Sequence, residues 1–177
     1  MTESPAAPAQ THGRAGRNLP AAIGIGVGLG AYVVLSLMYF KPAFVVLVAV
    51  ALVLASVELH EALKKQGMTS AIVPICAGSV AISIGSYLAG QQQPVVFSTT
   101  SVLLASLALT VLISLIWRMP KGSEGFVRDA AASLMIIAYV PLLGSFAALM
   151  LAGEQGSARV VTFLLVVVMS DTGGYVA

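Results

Sequence analysis

The chain has 177 residues, 58% of them apolar and only 9% charged, with nine basic and seven acidic side chains and a formal net charge of +2. A soluble domain carries roughly 25% charged residues, and so few charges cannot cover the surface of a folded chain this size, so the composition excludes a soluble globular protein and indicates an integral membrane protein. The basic residues form no stripe and leave no nucleic-acid footprint, and the single cysteine, Cys76, excludes an internal disulfide and every multi-cysteine metal pattern.

Residues 1–18 read as a polar, Pro/Ala-rich, disordered cytoplasmic leader carrying Arg14 and Arg17. The apolar stretch that follows, from about Pro20 to Phe40, is too long for the core of a cleaved signal peptide and predicts an uncleaved first span. Gly24, Gly26, Gly28 and Gly30 mark every second position in it. In lipid a helix is the open-ended way to satisfy the backbone, and small residues allow a neighbouring helix to come close. The glycine spacing does not match a nucleotide-binding loop.

Lys41-Pro42 predicts a tight turn, and a second span runs from about Ala43 to Leu59. It ends in a polar stretch in which Glu61 and Lys65 are spaced for a helical ion pair, with Glu58 deeper on the shoulder of the apolar run. Glu58, His60 and Glu61 do not have the spacing of a zinc helix. A third span covers about Ser70 to Ala89, with Pro74, Gly78 and Gly85 inside it, and Gln91 to Pro94 reads as an uncharged turn. The fourth span, about Val95 to Trp117, has hydroxyls at Ser98, Thr99, Thr100, Ser101 and Ser106 that can bond back to their own helix. Trp117 falls where an interfacial aromatic belongs.

The loop from Arg118 to Asp129 holds Arg118, Lys121, Glu124, Arg128 and Asp129, and Asp129 beside Arg128 reads as a solvated acid of little energetic weight. Span five, about Ala130 to Ala152, carries Pro141 and Gly144 near its middle, which predicts a kink. Span six begins at Val160. Each segment has close to the 20 residues needed to cross about 30 Å of hydrocarbon. The expected fold is therefore all-α: a polytopic transmembrane helix bundle of about six spans over residues 19–177.

Placing the tail inside puts Arg14, Arg17, Lys64, Lys65, Arg118, Lys121 and Arg128 on the inner side, against Lys41 and Arg159 outside. This bias predicts a multi-pass plasma-membrane protein with a cytoplasmic amino terminus. Six crossings then return Asp171 to the cytoplasmic edge. The chain stops three residues past Gly174, within an apolar segment, and reads as the front portion of a longer protein, incomplete at its C-terminus. Asp171 follows the apolar run Val160 to Met169 in the segment Ser170-Asp171-Thr172-Gly173-Gly174-Tyr175. A carboxylate at the edge of hydrocarbon needs water, a metal or a partner.

That hexapeptide resembles the Ser-Asp-Thr-Gly-Ala-Tyr segment of phosphatidate cytidylyltransferases, the CDP-diacylglycerol synthases of bacterial membranes, with Gly174 in place of the usual alanine. Glu58-Leu59-His60-Glu61 is similar to an acidic-aromatic stretch of that family without its aromatic neighbours. Arg17-Asn18-Leu19-Pro20 and Tyr139 to Phe146 resemble the actinobacterial branch. The resemblance covers residues 17–177.

It implies an enzyme, in its full-length form, that condenses CTP with phosphatidate to give CDP-diacylglycerol and diphosphate. It also implies Mg²⁺ as cofactor, membrane lipid as partner, and a homodimer. Asp171 would be the catalytic residue and metal ligand, with Ser170, Thr172 and Gly173 around the bound nucleotide and metal. The family's C-terminal Ser-x-x-Lys-Arg-x-x-x-x-Lys-Asp run and later His-Gly-Gly have no counterpart here, so these residues are expected to hold part of a site and to be inactive alone. The alternative from another class is a membrane transporter or channel fragment in which Asp171 lines an ion path and the prolines and glycines mark bent helices.

Overall fold

A computed structural model describes residues 19–91 and 98–176. The leader, the turn expected after Gln91 and the first residues expected in span four lie outside the described residues. The elements are α1 (Leu19–Tyr39), α2 (Lys41–Lys65), α3 (Ile72–Gln91), α4 (Thr99–Arg118) with a 3-10 turn at Met119–Lys121, α5 (Phe126–Tyr139), α6 (Pro141–Ala152) and α7 (Gly156–Val176). Among the described residues there is no strand. Five helical stretches are long and apolar enough to cross a membrane: Lys41–Lys65, Ile72–Gln91, Thr99–Lys121, Phe126–Ala152 and Gly156–Gly174. Ile23–Tyr39 is a shorter apolar helix. The all-α membrane bundle is present, with six apolar helical segments.

Local chemistry explains most of the boundaries. Phe40 alone separates α1 from α2, and Pro42 sits in the first turn of α2, where its missing N–H costs nothing. The second helix runs 25 residues, well past the expected end at Leu59, because Glu58 to Lys65 continue it beyond the apolar stretch. Its stop is a left-handed cap: Gly67, at φ +74°, lets the N–H groups of Gly67 and Met68 return to the carbonyls of Lys64 and Leu63. At the start of α4 the Ser98 hydroxyl accepts the Ser101 N–H at 3.0 Å. The fifth span breaks as expected at Pro141, which divides it into α5 and α6.

The third helix is the centre of the bundle. In its most apolar stretch 44% of the residues are buried, against 11% for α7, and it packs on α4, α2 and α6. Ile75 and Ile82 are fully buried on it together with Ser79, Ser83 and Ser86. Ser79 and Ser83 donate to the carbonyls one turn back, each at 2.9 Å, so small side chains bring helices close without stranding those donors. Three glycines carry the tightest approaches, Gly156 against the Leu151 carbonyl at the α6–α7 turn and two between the packed helices. A Cβ at Gly78 would run into the Thr110 side chain of α4, and one at Gly144 would run into Leu52 of α2.

The glycine row of α1 behaves differently from its expectation. Positions 24, 26, 28 and 30 have nothing within 4 Å of where a Cβ would stand, so no helix among the described residues uses them for close packing. The first helix instead joins the molecule through its far end, where Ser157 of α7 donates to the Leu37 carbonyl at 2.9 Å. An apolar groove of about 370 Å³ separates α1 from α7, lined by Gly26, Gly30, Val33, Val161, Leu164 and Val168 among others.

Candidate functional site

Alternating helices bring three polar stretches to one end of the bundle: the α2–α3 turn, the α4–α5 loop and the end of α7. The Ser157–Leu37 bond fixes the start of α7 at the opposite end, and Val168 and Gly26 both line the groove between the two helices. The end of α7 therefore lies beside the start of α1.

On α7 the helix continues through Ser170, Asp171, Thr172 and Gly173 to Val176. All four residues are exposed. The Thr172 hydroxyl donates to the Val168 carbonyl of its own helix at 2.7 Å. Gly173 and Gly174 have open space where a side chain would be, so a ligand could approach the backbone there. No hydrogen bond or ion pair to Asp171 occurs among the described residues.

Asp171 supplies one carboxylate. Among the described residues no three His, Cys, Asp or Glu side chains gather where they could hold a metal ion. Mg²⁺ takes one or two carboxylates, with water and substrate phosphates completing its shell. These residues could give it one ligand and do not build a metal site by themselves.

The other sequence candidates divide. Glu58 is exposed on α2. Glu61 pairs with Lys64 at 3.7 Å, both side chains more than half exposed, and not with Lys65. His60 is buried and shares a 2.6 Å hydrogen bond with the Ser70 hydroxyl.

Asp129 overturns its expectation as a solvated acid. Its side chain is 8% exposed, and Arg118, 6% exposed, donates from Nε to Oδ2 at 2.7 Å. The second carboxylate oxygen accepts the Thr69 N–H at 2.8 Å. Arg118 spends its remaining nitrogens on loop carbonyls, Nη1 on Gly122 at 3.1 Å and Nη2 on Glu124 at 2.7 Å. Its guanidinium carbon also stands 5.9 Å from the centre of the Phe126 ring. Arg118 is therefore unavailable to an anionic ligand. Among the described residues, Lys64, Lys65, Lys121 and Arg128 are the exposed cations at this end. The sequence signal for the pair was two opposite charges at the facing ends of a helical hairpin, hidden by the closer neighbour Arg128.

Comparison with known proteins adds an independent line. The profile of the "Cytidylyltransferase family" matches residues 20–177. The chain is 34% identical over 178 residues to the phosphatidate cytidylyltransferase of Mycobacterium leprae (strain TN), a match covering 92% of this chain and 54% of that protein. It is 28% identical over 181 residues to those of Mycobacterium bovis and Mycobacterium tuberculosis (strain H37Rv), covering 95% of this chain and 56% and 52% of theirs. No solved structure matches it. The chain thus spans about half the length of the curated relatives it matches. This corrects the expectation of a full-length enzyme: the similarity extends over roughly half of such a protein, and an enzyme assignment for the full length does not carry over to these 177 residues.

Proposed function

The chain belongs to the cytidylyltransferase family, and from that premise we propose that its residues form part of a membrane site at which a cytidylyl group passes from CTP to phosphatidate. A phosphate oxygen of phosphatidate would attack the α-phosphorus of CTP; the bond to the β-phosphate breaks, and diphosphate leaves. Such a transfer needs positioning and charge balance, and no covalent enzyme intermediate.

The observation that carries this reading is that the family match runs through an exposed Asp171 flanked by open glycine backbone at the end of an apolar helix. In the proposal Asp171 holds a fixed negative charge at the membrane edge and gives one carboxylate to nucleotide-bound Mg²⁺, which when present neutralises phosphate charge. Ser170 supplies a hydroxyl and Gly173 lets phosphate approach the main chain. Lys64, Lys65, Lys121 and Arg128 draw the anionic headgroup toward the same end. The amino terminus and Asp171 both face the cytoplasm, the side that supplies nucleotide. The family match over residues 20–177 favours this reading over an ion path along Asp171.

The test uses a polypeptide of the relatives' length that carries these residues, reconstituted with CTP, phosphatidate and Mg²⁺. CDP-diacylglycerol should form, and Asp171→Asn should lower turnover about 10²-fold, which corresponds to about 2.7 kcal/mol. No product from the unsubstituted protein overturns the function. Near-normal turnover in the variant, with unchanged Mg²⁺ dependence, overturns the role of Asp171. Residues 1–177 alone should give no product above background.

A further inference from the structure

We propose that Arg118, Asp129 and Ser133 form a clasp that joins two turns from separate hairpins, residues 66–71 and 119–125, into one unit that opens or closes together. The inference stands independently of the reaction proposed above.

Each half of the clasp has its own contacts. On one side, α5 caps the start of α3 from outside: Asp129 Oδ1 accepts the Thr69 N–H at 2.8 Å, and Ser133 Oγ accepts the Ala71 N–H at 2.9 Å while donating to the Asp129 carbonyl. These groups lie 60 and 62 residues apart in sequence. On the other side, Arg118 gathers the α4–α5 loop around its guanidinium through the carbonyls of Gly122 and Glu124. Gly122 at φ +82° and Gly125 at φ +67° let the loop curl that tightly.

The 2.7 Å bond from Arg118 to Asp129 connects the halves. Burial of these charges is offset twice. Every nitrogen of the guanidinium and both carboxylate oxygens have partners. The carboxylate also stands at the positive end of α3, and the guanidinium at the carbonyl end of α4, where helix dipoles favour them. Removing one partner therefore disturbs both turns, including the one it does not touch.

Amide hydrogen exchange on the full chain in lipid nanodiscs tests the coupling. Arg118→Lys keeps a positive charge and loses the fork that holds the two loop carbonyls. Exchange should rise roughly tenfold or more in residues 119–125 and comparably in residues 66–71, while residues 152–156 at the opposite end stay unchanged. Ser133→Ala removes the acceptor of the Ala71 N–H and the donor to the Asp129 carbonyl, with no bond to residues 119–125, and it should loosen residues 119–125 as well as 66–71. If the lysine variant does not fold, the alanine variant decides alone. Loosening confined to the turn each residue touches, no loosening in either turn, or an equal rise in residues 152–156 overturns the clasp.

Discussion

Asp129 and Asp171 are chemically identical side chains with opposite surroundings, and substitution should separate them. Asp129→Asn leaves the buried Arg118 guanidinium without its counter-charge, a loss of about 3–5 kcal/mol. Unfolding of the purified chain in detergent should shift accordingly. Removing both charges with Arg118→Met and Asp129→Leu should recover much of that loss, since an apolar pair needs no compensation. A double variant as weak as the worse single one would mean that the ion pair itself is not the source of the cost. Asp171→Asn should alter the same midpoint by about 0.5 kcal/mol or less, as for an exposed group without partners. Chain order conceals this division. Arg128 is next to Asp129 in the chain, but the pairing that matters crosses a loop to Arg118.

Among the helices, glycine has two meanings here. Gly78 sits where α3 meets Thr110, and Gly78→Ala should cost about 1–3 kcal/mol by overpacking. Gly28→Ala on α1 meets nothing and should be neutral, or stabilising by up to about 1 kcal/mol through helix propensity. Thermal unfolding of the two variants side by side checks the contrast, and equal effects would refute the packing argument. Composition and apolar run length were enough to locate every helical segment, and Pro141 marked the break between α5 and α6. The helix ends were less legible: the α2 terminus depends on a left-handed Gly67, and the start of α3 on bonds to residues about 60 positions away. The glycine row of α1 suggested close packing because the pattern names a capacity, while the partner that uses it must be found in space. For the candidate site, the α7 segment was legible as a motif, whereas the clasp was not, since nothing local in the sequence pairs Thr69 with Asp129.

At the scale of the whole molecule, the distribution of basic residues predicts an orientation with the clasp on the inner side. In a Cys76→Ser background, a cysteine at Gln155 should react with an impermeant thiol reagent added to intact cells. One at Ser123 should react only after permeabilisation. Both positions are exposed, so accessibility reports the side of the membrane, and the reverse pattern would invert the topology. The long-range caps of α3 also set a timetable for synthesis. Thr69 leaves the ribosome 60 residues ahead of Asp129, which at roughly 5–20 residues per second is about 3–12 s. Throughout that interval the start of the central helix relies on water at the membrane surface in place of its partners. Slow codons between residues 70 and 129 should therefore lower the yield of intact protein, by prolonging the exposure of a half-built bundle to quality-control proteases without changing a single amino acid.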